Sequence, residues 1–234
     1  MTERFAKPLL PIDGRPVLAL LLRELAEAGC REVTVVVGHL AEQVERFLGD
    51  GGAFGVEIRL ARQAWPDGSA DAVAAAGARP PYLVLGADTV FASGDIGRFA
   101  AAFGSEGAAG AVAVRTRRPR DGASGVRLNE GAVERLVAPG ADVVAAPLWA
   151  VGPVVAGRVE ALPGRPPFEL ATAFQQAIDA GERVAAIEIG PTRDLTTPED
   201  LVRENFPYLK SLSVGSTEPL PEADVPALPV PERE

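Results

Sequence analysis

Apolar residues recur along the first half of the chain in two alternating rhythms. Over residues 16–28, Val17, Leu18, Leu21, Leu22 and Leu25 fall at helical spacing, Arg23, Glu24 and Glu27 take the other face, and Gly29 stops the run. Residues 33–37 form a continuous β-branched run, the pattern of a strand buried on both faces. Residues 41–47 return to helical spacing, and residues 56–61 alternate apolar with charged, as in a strand with one wetter side. Ser69–Ala76 is a short Ala-rich helix with Ser69 as its expected cap. Tyr82–Leu85 is a second buried strand, ending at Gly86-Ala87-Asp88. The order β-α-β-α-β predicts right-handed crossovers and an α/β, Rossmann-like mixed fold, its sheet mostly parallel and flanked by helices.

The second half is richer in strands. Residues 110–116, 125–128, 133–137, 143–151 and 183–189 read as strands, most of them joined by Gly/Pro turns. Residues 168–180 read as a helix with Phe168 near its start, and Pro198 opens a last helix after Thr197 as its cap. From Ser211 the chain is rich in Pro and Glu and loses its apolar period. The expected organisation is one domain over residues 1–210 and a disordered tail over 211–234.

Charge narrows the partners. The net charge is −9, and the tail holds five acids against one Arg, so −9 − (−4) leaves −5 for residues 1–210. An acidic domain argues against nucleic-acid binding, which runs on basic patches. It leaves room for a nucleotide, whose charge backbone amides and a metal ion can meet. The only cysteine, Cys30, cannot form an intrachain disulfide. No signal-peptide pattern opens the chain, and the longest apolar runs fall short of the ~18 residues of a membrane span. These features predict a cytoplasmic protein without membrane contact, and leave a homo-oligomer open.

Four places carry candidate chemistry. Asp88 ends a buried strand, the edge at which open α/β sheets collect ligands, and a carboxylate there can hold Mg²⁺ against a phosphate. It reads equally well as a loop-capping acid. Asp194 stands between a strand and the Pro198 helix, and two such carboxylates can share one cation. Gln63, Gly68 and Ser69 lie in a strand-to-helix loop, where an amide can read a base edge and a glycine lets a flat ring approach. An ordinary loop with a serine cap is the competing reading. Lys7 is either a phosphate contact or a solvated surface lysine. Arg115, Arg117, Arg118 and Arg120 read as a solvated basic run, and Trp65 and Trp149 as ring-stacking or core residues.

Taken in order, Lys7-Pro8-Leu9-Leu10-Pro11, Gly68-Ser69-Ala70-Asp71-Ala72, Gly86-Ala87-Asp88 and Asp194-Leu195-Thr196-Thr197-Pro198-Glu199-Asp200-Leu201 resemble the sugar-1-phosphate nucleotidylyltransferase family, over residues 1–210. The resemblance implies transfer of a nucleotidyl group from an NTP to a sugar 1-phosphate, releasing pyrophosphate, with Mg²⁺ as cofactor. By the same match Asp88 and Asp194 hold the metal, Gln63, Gly68 and Ser69 meet the nucleotide, and Lys7 meets phosphate. Gly125 and Glu169 meet the sugar.

The chain departs from the family in three places. The family opens with a strand and a glycine-rich loop ahead of the Lys-Pro motif, and this chain opens at Met1, past that loop. The resemblance therefore implies an N-terminally truncated domain without its first central strand, strands 33–37 and 82–85 facing the gap, and doubtful activity in this form. The family's acceptor-side lysine is replaced in Val137-Ala138-Pro139, and its sugar-contacting turn in Ala145-Ala146-Pro147-Leu148. Two other readings stand beside the enzyme: a non-catalytic ligand-binding or regulatory relative, and a GT-A-like glycosyltransferase. The second lacks the first acid of an Asp-x-Asp motif at Gly86.

Overall fold

The two rhythms of the sequence become alternating elements in the computed structural model, which describes residues 4–116, 125–138, 141, 143–195 and 197–213. A 3-10 turn at Lys7–Leu9 leads into a small hairpin, β1 (Pro11–Ile12) and β2 (Arg15–Pro16). Its turn residues Asp13 (φ 53°) and Gly14 (φ 74°) both take the left-handed conformation that a two-residue type I′ turn demands. Helix α1 (Val17–Glu27) buries Val17, Leu18, Leu21, Leu22 and Leu25, the stripe set out by its spacing. Then come β3 (Glu32–Val37), α2 (Ala41–Leu48), β4 (Glu57–Arg62), α3 (Ser69–Ala76), β5 (Tyr82–Leu85), β6 (Thr89–Val90) and α4 (Asp95–Glu106). The second half adds β7 (Gly110–Thr116), β8 (Gly125–Asn129), β9 (Ala132–Ala138), β10 (Val143–Val151), α5 (Pro153–Glu160), α6 (Leu170–Asp179), β11 (Val184–Glu188), β12 (Arg193–Asp194) and α7 (Pro198–Ser213).

The main sheet has six strands in the order β5-β10-β7-β11-β9-β8. Alternation along each strand feeds two cores. Ala111 and Ala113 of β7, Leu148 and Ala150 of β10 and Ala185 of β11 join the first, under Leu22 of α1 and Ile96 and Phe99 of α4. Val112, Val114, Val151 and Val184 join the second, under Val155 of α5 and Phe174 of α6. Phe174 is fully buried, which contributes about 1.5–3 kcal/mol. Its ring lies 4.9 Å from that of Trp149, so Trp149 is a core residue. A third, small core of Ile12, Val17 and Leu195 ties the β1–β2 hairpin to the β12 region.

The fold is a mixed α/β architecture, but it departs from the expected parallel sheet. Within the six strands only β7 and β11 pair in parallel, and the other described pairings are antiparallel. The second half connects β8 to β9 through the two turn residues Glu130 and Gly131, a return too short for a parallel crossover. The other parallel pair, β3 with β4, is a separate two-stranded sheet. In β3 only Val37 is buried and the remaining apolar residues are half-buried, since among the described residues β3 has one partner strand instead of two.

Local expectations shift too. Helices α4 and α5 were not anticipated, and α6 begins at Leu170, with Phe168 left outside it. Ser69 does not cap α3: its hydroxyl accepts from the Leu170 N–H at 2.8 Å and so serves the first turn of α6. Asp200 and Thr197 exchange bonds (Thr197 N–H to Asp200 Oδ2, 2.7 Å; Asp200 N–H to Thr197 Oγ1, 3.3 Å), the reciprocal cap of α7. That helix runs to Ser213, past the expected domain end at 210. The rest of the expected tail, with Arg117, Arg118 and Arg120, lies outside the described residues. Among the described residues no helix is long and apolar enough to cross a membrane.

Candidate functional site

Asp88 follows β5 through a close turn. The Gly86 N–H donates to Pro147 O of β10 at 2.8 Å, and a Cβ on Gly86 would come within 2.9 Å of the Pro147 side chain. Only glycine lets the turn lie so tightly against β10, and the added carbon would also lie 3.3 Å from Asp88 Oδ1. Lys7 Nζ donates to Asp88 Oδ2 at 2.5 Å. Lys7 is carried there by its 3-10 turn, which buries Leu9 in the first core and is anchored by Ala6 N–H to Gln43 Oε1 at 2.9 Å. The pair is part-exposed, 29% for the lysine side chain and 32% for the carboxylate, so water screens it and the lysine keeps freedom to move.

Asp194 reaches the same region from the other half of the chain. Strand β12 pairs with β6, setting Asp194 opposite Thr89, and the Leu195 N–H donates to Asp88 O at 3.3 Å. The two acids are therefore neighbours on paired segments. Asp194 is held by more groups than Asp88. Its Oδ1 accepts from the buried Thr89 hydroxyl at 2.9 Å, and the Thr192 hydroxyl lies 3.0 Å from Oδ2 and 3.2 Å from Oδ1. Arg115 Nη1 donates to Thr192 Oγ1 and stands 3.6 Å from Asp194 Oδ2. The backbone of β12 is latched from outside by Arg193, which bonds Asp13 of the hairpin and Glu204 of α7. The hydrogen bonds that it donates to Asp13 are the main reason the Arg193 guanidinium is held even more firmly protonated than usual.

A carboxylate such as that of Asp88 or Asp194 is a hard oxygen donor of the kind Mg²⁺ takes. Among the described residues no group of three or more His, Cys, Asp or Glu side chains gathers. A cation here would complete its shell with water and substrate phosphate, as Mg²⁺ commonly does.

The expected nucleotide loop and the expected sugar acid meet each other. Gln63 Nε2 donates to Gly68 O at 3.0 Å and to Asp71 Oδ2 at 2.9 Å. Both amide hydrogens are thus taken up by acceptors inside the protein. Gly68 (φ +110°) packs on the backbone of Phe168, and a Cβ would fall 2.3 Å from Phe168 O. Its glycine requirement is thus met inside the protein, where the sequence suggested a ligand ring. Backbone bonds Phe168 N–H to Asp67 O (2.6 Å) and Ala70 N–H to Phe168 O (2.8 Å) stitch the two segments together. Across this seam the Ser69 hydroxyl donates to Glu169 Oε2 at 2.6 Å. Trp65, beside this loop, is 73% exposed, which removes it from the core.

Gly125 opens β8 and pairs with Ala138 of β9. The altered acceptor segment Ala145-Ala146-Pro147-Leu148 lies on β10 at the register shift of its pairing with β7. Pro147 has no N–H to give a ladder and is tolerated at such an irregularity. Sequence reasoning missed Arg115, Thr89 and Thr192. In the sequence Arg115 reads as part of a solvated basic run, yet its side chain is only 14% exposed. The signal available was its place in β7, two residues past Ala113 on the face that enters the first core.

A family model described as the MobA-like NTP transferase domain matches residues 1–181. Over 226 residues the chain is 26% identical to the low-salt glycan biosynthesis nucleotidyltransferase Agl11 of Haloferax volcanii, covering 92% of this chain and 63% of that protein. It is 27% identical to the mannose-1-phosphate guanylyltransferase catalytic subunit beta of Drosophila melanogaster, covering 91% and 59%. The chain thus spans less than two thirds of the length of these relatives. Among solved structures, the inositol-1-phosphate CTP transferase of T. maritima superposes with a TM-score of 0.75 at 18% identity, covering 92% of this chain and 90% of that one, a likeness of fold. Matched by the family model over more than half its length, the chain belongs to the MobA-like NTP transferase domain family.

Proposed function

We propose that this protein transfers a nucleotidyl group from a nucleoside triphosphate to a sugar 1-phosphate, forming a nucleotide-sugar and pyrophosphate. The observation that carries the reading is the pairing of β6 with β12, which makes neighbours of two acids 106 residues apart, Asp88 and Asp194. Asp88 and Asp194 would hold Mg²⁺, whose charge stabilises the transferring phosphoryl group when bound. Lys7, part-exposed beside Asp88, would turn to the triphosphate. Gln63 Oε1 and the Gly68–Ser69 backbone would meet the base, and Glu169 and the Gly125 backbone the sugar. In such a reaction the protein's work is positioning and charge compensation.

We also read β3 and β5 as flanking a place for one further parallel strand, as in a Rossmann-like sheet. Among the described residues β3 pairs only with β4 and β5 only with β10, and Val33, Val35, Leu83 and Leu85 stay half-buried. Cys30, the only cysteine, goes with a reducing, cytoplasmic location. A second reading, a ligand-binding relative without turnover, is favoured by the residues on the acceptor side: Val137-Ala138 offers no lysine, and Ala145-Ala146-Pro147 no sugar-facing amide. A glycosyltransferase has less support, since Gly86 stands where an Asp-x-Asp motif needs its first acid.

Pyrophosphate release from each of the common NTPs, with Mg²⁺ and a panel of sugar 1-phosphates, tests the reading. Release that requires both substrates supports transfer. An NTP-dependent rise in Tm without release supports the binding relative, and neither response with any pair counts against both.

A further inference from the structure

We infer that Arg115 is a positioning residue that sets Asp194 for a divalent cation by fixing the hydroxyl of Thr192. The inference rests on the reading of Asp194 as a metal ligand and adds the group that aims it.

The argument is one of proton counting. A guanidinium donates only, and a threonine hydroxyl has one proton and two lone pairs. Arg115 Nη1 bonds to Thr192 Oγ1, so Thr192 must accept that bond, and its single proton is left for Asp194. It lies 3.0 Å from Oδ2 and 3.2 Å from Oδ1. The Thr89 hydroxyl takes Oδ1 from the other strand at 2.9 Å. The carboxylate is thereby gripped from two sides by oriented hydroxyls, and one rotor is locked by a cation. At 3.6 Å from Oδ2, Arg115 Nη1 is too far for a direct hydrogen bond, so it acts on Asp194 through Thr192 and through its charge.

Arg115 is well suited to hold its place. It continues the β7 row of Ala111 and Ala113, and its side chain is 14% exposed. Among the described residues its buried Nε has no hydrogen-bond partner. An unsatisfied buried donor on a cation is a cost to folding, and a structural role alone does not call for it. Groups that orient metal ligands from behind typically change metal affinity by about 10–100-fold when removed.

The two contributions of Arg115 have opposite signs, which makes the inference testable. By charge alone, deleting a cation beside a metal site tightens metal binding. By positioning, deletion loosens it. The experiment is Mn²⁺ binding to the full chain without nucleotide, read from the EPR signal of free Mn²⁺, for wild type, Arg115→Met, Thr192→Val, Thr192→Ser and Asp194→Asn, together with crystal structures of Arg115→Met and Thr192→Val. Positioning predicts that Arg115→Met and Thr192→Val each weaken Mn²⁺ by about tenfold, and Thr192→Ser leaves it near wild type. The double variant Arg115→Met/Thr192→Val should be no weaker than Thr192→Val alone, since both act by one route. In the Arg115→Met crystal the Thr192 hydroxyl should turn away from Asp194. Unchanged or tighter Mn²⁺ binding in Arg115→Met, or an unmoved Thr192–Asp194 contact, overturns the inference. If wild type and Asp194→Asn bind Mn²⁺ alike, the metal reading of Asp194 fails, and the crystal structures still decide whether Arg115 orients the carboxylate. Should Arg115→Met not fold, Thr192→Val carries the same decision: weakened Mn²⁺ supports the route, and unchanged Mn²⁺ ends it.

Discussion

Asp88 and Asp194 stand on segments that the β6–β12 pairing joins, but in different company. Asp88 meets one long, part-exposed lysine. Asp194 meets two hydroxyls, one of them fully buried, with a mostly buried arginine behind them. A lysine on a flexible stem neutralises its partner and can leave it, whereas a planar guanidinium locked in a strand cannot. The difference is one of restraint: Asp194 is fixed by two hydroxyls backed by a guanidinium, and Asp88 by a single ion pair open to water.

The comparison can be broken in four ways, taken from the largest effect down. Asp88→Asn and Asp194→Asn should each lower kcat for pyrophosphate release on the order of 10²-fold or more, because either loss removes charge stabilisation at the transferring group. A variant with full activity would remove its acid from the site. Next, Thr89→Val should cost about 1–2 kcal/mol in urea unfolding, since it strips a buried hydrogen bond from a charged group. Lys7→Met should tighten Mn²⁺ in the absence of nucleotide by about twofold to fivefold, the worth of a part-exposed ion pair removed as competitor. That sign is opposite to the one expected for Arg115→Met, and equal signs would erase the distinction. Smallest of all, Lys7→Met should change unfolding stability by less than about 0.5 kcal/mol.

Much of the frame was legible in the sequence because it depends on local period. The strands Tyr82–Leu85, Gly110–Thr116 and Val143–Val151 and the helix Ser69–Ala76 stand where the spacing of their residues put them. What the pattern could not supply was partnership. Residues 33–37 read as a fully buried strand, but burial depends on a neighbour on each edge, and β3 has one. Ser69 looked like the cap of its own helix, and the chain folds so that it serves α6, 101 residues away from it at Leu170. The hairpin turn Asp13-Gly14 carried a local signal that went unread, as did Ile96, Phe99 and Phe103 in α4.

The candidate site divides along the same line. Asp88 reads from its place at the carboxyl end of a strand, and Asp194 from its place between a strand and the Pro198 helix, both local features. Thr89 and Thr192 become visible only when β12 lies against β6, whereas Arg115 shows in the sequence only as the next position of the inward row of β7. Gly68 shows the reverse case. Its glycine was rightly marked as a place of close approach, but the approaching surface is the Phe168 backbone.

The pairing of the two acids around one ion is the claim from which the mechanism follows. Calorimetric titration of Mn²⁺ into wild type, Asp88→Asn and Asp194→Asn measures it most directly. The account predicts a single site per chain that both substitutions abolish. A site that survives unchanged when Asp88 is replaced would show that the acids do not share a cation.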